Sequence, residues 1–388
     1  MMKKFLLLSG LLVSFSLFGE ITQQTVIDAI GLPLVGAEPG LTHADLEKKL
    51  QHKGIKFNGS PVKRTAFING IKILGIPAKE LQIISDRDGK IEQIDIIYSN
   101  KGDTAKYIKS KIRDDASTLK KKLTDLFGSD KKEKFGSEGV GLKVSAWYYG
   151  DIKFLLEFVH KEYTILHIIY SGKVQIDRKS KEQITLSSLQ KNIVRKDNGD
   201  VFIENIPMVN QGSKGYCAVA SLERVLLYCG IKNVTQHQLA DIANTGNGGG
   251  TNFTNLQNAT NKVTKKYKFD VKSCGEINFK SIKKYIDLGV PILWCMYTND
   301  KYYAIVQKSR AERDSYKDLR TWIRSLKKQN VPSRGGAHIC IIVGYNKKTG
   351  EIAVSNSWGD NEIKPGWVPL KTARKVSQGF SMVLLPEK

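Results

Sequence analysis

The sequence predicts an α+β protein built from two folded domains, and three observations support this. The 388 residues exceed what one small hydrophobic core usually organises. Residues 40–172 contain strand-like runs with tight-turn sequences between them. From Asn198 onward, helical patterns come first and strand patterns later. We therefore expect an amino-terminal domain over residues 20–172, a linker over 173–197 and a second domain over 198–388.

The first 19 residues have the pattern of an export signal. A short basic start, Met1 to Lys4, precedes an apolar stretch from Phe5 to Phe18. A membrane-spanning helix needs roughly 20 apolar residues, and serines and a glycine interrupt this shorter stretch. We therefore expect a signal peptide over residues 1–19 and a secreted or periplasmic protein with no membrane anchor after cleavage. The cleavage site is open between Ser16 and Gly19.

The first domain is predicted to be a small antiparallel sheet covered by one long helix. Apolar residues recur every three or four positions from Ile108 to Leu126, which puts them on one helical face. Thr42 has the pattern of a cap for a shorter helix. His160 and His167 are interpreted as surface or core residues. The predicted strands are Ile71 to Ile76, Leu81 to Ile84, Ile91 to Tyr98, Val144 to Tyr149, Ile152 to Val159 and Tyr163 to Tyr170.

The role of residues 20–195 is open between two interpretations. They form either a proregion that shields the site until it is removed, which would make the protein a zymogen, or a retained domain that recruits substrate. The polar stretch from Ser171 to Gly199 contains exposed basic residues that would suit processing.

In the second domain, four helical patterns precede the strands. The first begins at Cys217 and stops at Gly230, and Thr235 with Gln238 caps the second. Residues 301–330 are interpreted as a polar, basic insertion with one helical segment. The other two helices begin at Phe253 and Phe279, and the strands are Ile292 to Tyr297, His338 to Gly344, Glu351 to Asn356 and Phe380 to Leu385.

The net charge of +23, from 61 Lys and Arg against 38 Asp and Glu, is spread along the whole chain. Such a charge attracts anionic surfaces, including acidic polymers. No platform of alternating aromatic and basic residues recurs, so we interpret the charge as a solvated surface and expect no nucleic-acid partner. We expect a monomer.

All five cysteines lie in the second half of the chain. An odd number in an exported protein leaves one thiol unpaired within the chain, and a catalytic nucleophile is one reason for that. The other four allow three disulfide pairings that the sequence does not rank. Buried, unpaired thiols are the alternative for Cys295 and Cys340, which sit in apolar runs.

Cys217 follows Gln211-Gly-Ser-Lys-Gly-Tyr and opens a predicted helix. Free backbone N–H groups at a helix start point at the sulfur and favour the thiolate, which is the nucleophilic form. Attack on a peptide carbonyl creates an oxyanion that needs hydrogen-bond donors. The backbone N–H of Cys217 and the side-chain amide of Gln211 could supply them, because the six-residue spacing allows a loop to bring them together.

His338 follows a flexible glycine-containing segment and starts an apolar strand, which is a suitable place for a base. A catalytic imidazole needs a partner that orients its second nitrogen. Asn356 ends the next predicted strand and could accept that hydrogen bond without becoming charged. Trp358, two residues further on, could shield the pair from water.

The ordered set resembles the papain family of cysteine peptidases over about residues 200–388. The resemblance implies a helical subdomain beside an antiparallel β subdomain, with the roles of oxyanion donor, nucleophile, base and orienting amide. Asn247-Gly248-Gly249 looks like the family loop that pairs with extended substrate, although glycines in such loops more often serve turn geometry. The Gly-Tyr-Cys context is more similar to bacterial papain-like and bacteriocin-processing peptidases. The residues that carry these roles would be Gln211, Cys217, His338 and Asn356, with Gly248, Gly249 and Trp358 against the substrate.

The sequence thus predicts a secreted thiol hydrolase that acts on proteins or peptides without a metal or organic cofactor. An acyl or glutamyl transferase is one alternative, because an amine can intercept an acyl-thioester as well as water can. A catalytically dead papain-like scaffold that binds through its basic surface is the other.

Overall fold

The computed structural model describes residues 22–34, 41–68, 70–86, 88–103, 109–136, 141–170, 184–232, 234–326 and 329–387. The predicted export signal and residues 171–183 of the polar stretch lie outside these ranges. Within the described ranges, no helix combines the length and apolar character needed to cross a membrane.

The predicted α+β class, with antiparallel sheets in both domains, is confirmed. The first domain is one eight-stranded sheet in the order β1-β2-β5-β6-β10-β9-β8-β7. Its strands are β1 (Asn58–Ser60), β2 (Lys63–Phe67), β3 (Lys72–Ile73), β4 (Ile76–Pro77), β5 (Glu80–Ser85), β6 (Ile91–Asn100), β7 (Lys131–Phe135), β8 (Leu142–Tyr149), β9 (Ile152–Val159) and β10 (Tyr163–Ile169), where β3 and β4 form a separate hairpin.

The long helix α3 (Lys109–Phe127) lies across the sheet, as its apolar periodicity indicates. Leu119 and Leu123 are fully buried in the core between helix and sheet. Two shorter helices, α1 (Gln23–Ile30) and α2 (His43–Gln51), pack at the edge of the same core. Thr42 and Asp45 form the predicted capping box of α2.

The sequence analysis misplaced some strands of this domain. The run predicted as one strand over 71–76 is a tight hairpin, because Leu74 and Gly75 both take positive φ angles, of 53° and 70°, and reverse the chain. Strands β1, β2 and β7 were not predicted. The edge strand β7 contains three lysines and one glutamate and has mostly exposed or half-buried side chains, so it lacks the apolar signal of a central strand.

The second domain has helices on one side and a branched antiparallel sheet on the other. Strands β11 to β18 form the order β11-β12-β15-β14-β18-β13, and β16 and β17 extend from β15. The helices are α4 (Leu186–Gln190), α5 (Cys217–Tyr228), α6 (Gln236–Ile242), α7 (Phe253–Thr264), α8 (Phe279–Ile286), α9 (Asp300–Glu312), α10 (Leu319–Leu326) and α11 (Leu370–Val376). The strands are β11 (Ile193–Arg195), β12 (Asp200–Ile203), β13 (Phe269–Ser273), β14 (Ile292–Thr298), β15 (Gly336–Asn346), β16 (Glu351–Ser355), β17 (Gly366–Pro369) and β18 (Ser377–Pro386).

The carboxyl end of the predicted linker belongs to the second domain. Helix α4 buries Leu189, and β11 pairs with β12, which in turn pairs with β15. A polar composition concealed these two elements, because a single buried leucine and three strand residues give little periodicity.

The segment 301–330 is also more than a polar insertion. Helix α9 packs against β17, and the Arg313 side chain after it is fully buried between Asp200 and Glu351. The Trp322 indole donates a 2.8 Å hydrogen bond to Glu351. Because these carboxylates are distant in sequence, composition alone suggested a solvated surface for a segment that closes part of the core.

All five cysteines are free thiols, so none of the three possible pairings occurs. Cys229, Cys295 and Cys340 are buried. Cys295 and Cys340 thus match the alternative interpretation as buried core thiols, and Cys229 is a third buried thiol that was not predicted. Cys217 and Cys274 are half-buried.

Candidate active site

Helix α5 begins at Cys217, and the sulfur faces backbone N–H groups from two elements. Two belong to Cys217 and Ala218 at the helix start, and the third belongs to Ile339 on β15. The thiol therefore lies beside the residue that follows His338. The sheet explains this approach, because β15 lies directly against α5, with Ser221 donating a 3.1 Å hydrogen bond to the Ile339 carbonyl.

The protonation of the two groups differs from the expected thiolate. Burial raises the pKa of the Cys217 thiol above its ordinary value, and the backbone N–H groups offset this only in part. Burial also lowers the pKa of His338 to about 4. At rest, the Cys217 thiol and the His338 imidazole are therefore both neutral, because burying two charges costs more free energy than the N–H groups at the helix start supply.

Asn356 orients the His338 ring, and its own orientation is fixed by Glu362. The Asn356 side-chain amide donates a 2.8 Å hydrogen bond to Glu362, a carboxylate that pairs with Arg310 and therefore only accepts. The amide oxygen must then face His338, whose Nε2 lies 3.0 Å away and donates to it. The proton sits on Nε2, so the lone pair of Nδ1 is available as a base.

Glu362 and Arg224 are site residues that the sequence analysis missed. Besides the side chain, Glu362 accepts a 3.1 Å hydrogen bond from the backbone N–H of Asn356. Arg224, on α5, donates to the Asn356 carbonyl at 2.6 Å and to the Ser355 hydroxyl at 2.8 Å. Both charged side chains are buried. A glutamate six residues after Asn356 is the only sequence signal, and it is too weak to identify without the fold.

Gln211 is tied to the segment that carries Asn356. Its backbone N–H donates to the Ser357 carbonyl at 2.9 Å, and its side-chain oxygen accepts from the Ser357 hydroxyl at 2.8 Å. The side-chain nitrogen donates at 2.8 Å to the carbonyl of Lys214. An amide nitrogen carries two protons, so this bond leaves a second N–H. The loop between Gln211 and Cys217 is therefore closed on itself by its own glutamine.

Trp358 covers the imidazole. Its ring stacks on His338 with centroids 4.6 Å apart and an angle of 30° between the planes. The ring of Tyr303, on α9, packs edge-on against the Trp358 ring, with centroids 5.0 Å apart. This stacking excludes water from one face of the base and is one cause of the burial that lowers its pKa.

The two predicted substrate glycines serve the fold first. The Gly248 carbonyl accepts from Gly215 at 3.1 Å, and the Gly248 N–H donates at 3.0 Å to the carbonyl of Lys101 in the first domain. Gly249 has a φ of +117°, and a Cβ there would meet the Cα of Gly215 at 2.2 Å. Both backbone groups of Gly248 are thus engaged, and the Gly249 N–H donates to the Gly246 carbonyl at 3.0 Å. Any pairing of these two glycines with substrate would therefore fall to the Gly249 carbonyl.

A comparison with known protein families finds a match in the second domain. Residues 203–377 match the Peptidase_C39 like family. The resemblance to papain-like cysteine peptidases seen in the sequence is thus confirmed over this range. We call residues 184–387, which contain the match, the C39-like domain from here on. The matched range includes all seven predicted site residues.

Two solved structures of low similarity are also found. The peptidase domain of Streptococcus ComA, a bi-functional ABC transporter involved in a quorum sensing pathway, is 16% identical, with 47% of this chain and 100% of that chain covered and a TM-score of 0.31. A C39-like peptidase from Bacillus anthracis is 14% identical, with 49% and 98% covered and a TM-score of 0.33. A comparison with curated proteins finds no match.

Proposed function

We propose that the protein is a secreted papain-like cysteine endopeptidase with Cys217 as nucleophile and His338 as base. Asn356 orients the base, and Gln211 donates to the oxyanion. The observation that carries the proposal is the proton arrangement of His338. Its Nε2–H is bound to Asn356, which leaves the Nδ1 lone pair for the thiol at the start of α5. Residues placed in this way fit nucleophilic catalysis by a thiol and an imidazole.

In the first half of the reaction, the Sγ–H proton of Cys217 moves to Nδ1 of His338 as Sγ bonds to the peptide carbonyl carbon. The carbonyl oxygen becomes an oxyanion, which the backbone N–H of Cys217 and the remaining side-chain N–H of Gln211 stabilise. The carbon–nitrogen bond then breaks, and the leaving amine takes the proton from His338. An acyl-thioester on Cys217 remains.

In the second half, His338 takes a proton from a water molecule that attacks the thioester carbonyl. The carbon–sulfur bond breaks, the carboxylic acid leaves and the proton returns to sulfur. Trp358 keeps bulk water off the covered face of the ring throughout, and Asn356 holds the ring in place during both proton transfers.

The test compares the full chain with its Cys217→Ala variant on fluorogenic peptides and with an irreversible thiol-directed probe. We expect hydrolysis and rapid labelling in the parent and neither in the variant, because the variant lacks the nucleophile. Cys274→Ala is the matched control, since Cys274 is the other half-buried thiol and stands outside the site. Equal labelling of the parent and Cys217→Ala would refute the peptidase proposal.

Two further outcomes separate the rival functions. Products in which an added amine has replaced water would identify an acyl transferase. Salt-sensitive binding to anionic polymers that persists in Cys217→Ala, with no hydrolysis by the parent, would identify a binding scaffold. Export is proposed from the signal-like first 19 residues. The mass of protein recovered outside the cytoplasm tests it, with cleavage expected near Ser16 to Gly19.

A further inference from the structure

The loop from Gln211 to Tyr216, here called the oxyanion loop, lies against the amino-terminal domain. The aromatic ring of Phe67, at the end of β2, is so close to Gly212 that a Cβ there would approach it to 2.6 Å. Gly102, which follows β6, is equally close to the Tyr216 ring, because a Cβ on Gly102 would lie 2.5 Å from it. Both ends of the loop are therefore packed by residues that the C39-like domain does not supply.

The only lysine of the oxyanion loop is neutralised by the same domain. The Lys214 ammonium is buried and lies 2.8 Å from a carboxylate oxygen of Glu80 on β5 and 4.0 Å from Asp103. Among the described residues, both carboxylates that pair with Lys214 come from the amino-terminal domain. A buried ammonium needs a close counter-ion. The conformation of this side chain thus depends on Glu80.

Lys214 connects Glu80 to the proposed oxyanion donor. The Lys214 side chain extends to Glu80, while its backbone carbonyl accepts the 2.8 Å hydrogen bond from the Gln211 amide. Fixing the ammonium fixes the peptide that holds one N–H of Gln211, and so sets the direction of the other. A displacement of about 1 Å in a group that contacts the reacting atoms can reduce the rate about 100-fold.

A cavity of about 540 Å³ lies at this junction. Glu80 and Asp103 form part of its wall from one domain, and Gly212, Lys214 and Trp358 form part of it from the other. Neither Cys217 nor His338 lines this cavity, but Trp358, which stacks on His338, forms part of its wall. The junction of the two domains is therefore one residue away from the proposed base.

We propose that Glu80 is a positioning residue for the oxyanion loop, acting through Lys214 on Gln211, so that the amino-terminal domain is a working part of the enzyme. This inference rests on the proposed peptidase function. It favours the retained domain over the removable proregion, since removing the first domain would take away the counter-ion of Lys214 and the packing of Gly212 and Tyr216.

The test uses the full chain with Glu80→Gln, which keeps the shape of the side chain and removes its charge. We expect kcat to fall at least tenfold while KM changes less than twofold, because the oxyanion forms only in the transition state. Alkylation of Cys217 by iodoacetamide forms no oxyanion, so its rate should stay within twofold. An unchanged kcat, or equal losses in hydrolysis and alkylation, would overturn the proposal.

Lys63→Gln is the matched control. Lys63 forms a second buried ion pair between the domains, with Glu223 on α5. Among the described residues, no hydrogen bond or ion pair joins Lys63 to the oxyanion loop. We expect this variant to lose thermal stability but to keep kcat within twofold. A loss of kcat equal to that of Glu80→Gln would show that only domain docking matters, and the positioning role would be rejected.

Hydrogen exchange separates this proposal from the peptidase proposal, because it needs no activity. The amides of residues 211–216 should exchange at least tenfold faster in Glu80→Gln than in the parent or in Lys63→Gln. Unchanged exchange would overturn the positioning role even in an active enzyme. If Glu80→Gln does not fold, Glu80→Asp takes its place with an intermediate kcat expected, and a parental kcat would count against the proposal.

Discussion

At the scale of single residues, burial decides the chemical state of the site. The helix start and the neighbouring strand direct three N–H groups at the Cys217 sulfur, yet burial still raises the pKa of the thiol. Burial also keeps His338 neutral at physiological pH. A site of this kind begins its reaction by moving a proton and does not hold a charge pair in advance.

The pH dependence of kcat/KM follows from this state. His338 acts only when neutral, and its pKa is lowered to about 4, so we expect activity to fall only below about pH 4 to 5. A thiolate–imidazolium pair, by contrast, would also lose activity at high pH, where the imidazolium gives up its proton. We therefore expect a plateau up to pH 8, with circular dichroism confirming the fold.

Trp358→Ala is the control for the cause of this shift. Removing the indole lets water reach the imidazole, so the fall of kcat/KM at low pH should move toward the ordinary histidine pKa of about 6.5.

In the folded parent, a decline of kcat/KM between pH 7 and 8 would contradict a neutral resting pair.

At the scale of elements, the site depends on close contact between two loops. Gly215 and Gly249 form an isolated parallel bridge, which joins the oxyanion loop to the glycine-rich loop before α7. The contact is so close that neither position has room for a Cβ. Glycine is required there by the approach of two backbones, a reason that is independent of substrate.

Gly249→Ala should therefore destabilise the fold by about 3 kcal/mol or more in denaturant unfolding, because the new methyl group collides with Gly215. Gly250→Ala is the matched control. Its φ of +83° is also left-handed, but nothing lies within 4 Å of the added Cβ, so a cost of about 1–2 kcal/mol is expected. Equal stability of the two variants would contradict the contact, and a large loss of activity in a stable Gly249→Ala would favour a substrate role.

At the scale of the whole molecule, buried charges join the two domains. Glu157 of β9 accepts from the buried His167 on its own sheet at 2.9 Å and from Gln238 on α6 at 2.9 Å. Asp95 accepts a hydrogen bond from the other nitrogen of His167 at 2.6 Å. Burial by itself would lower the pKa of this histidine, but the two carboxylates outweigh it and raise the pKa to about 9. This network continues into the helical side of the C39-like domain.

We expect the active protein to retain its first domain. When the native protein is labelled by a thiol-directed probe, the mass of the labelled species should include residues 22–170. The reason is that the domain supplies Glu80 and covers the oxyanion loop. A labelled species that starts between Lys181 and Asn198, with activity appearing only after cleavage, would instead identify a zymogen.

The sequence by itself determined the α+β class and most helices and central strands, and it predicted the residues of the candidate site. Periodic apolar faces and capping residues are local signals of secondary structure. Four chemically specific residues in a fixed order together form a strong signal of a site. Edge strands, helix α4 and strand β11 were not predicted, because they contain few apolar residues.

Only the tertiary structure decided how the site is held and in which state it rests. The contacts of Arg224 and Glu80 join residues that are distant in sequence, and Glu362 gives only a weak sequence signal. Burial also made Cys217 a neutral thiol where the sequence predicted a thiolate. The physical reason is the same in each case. The energy of a charge depends on the water and the partners around it, which a linear pattern does not specify until the chain has folded.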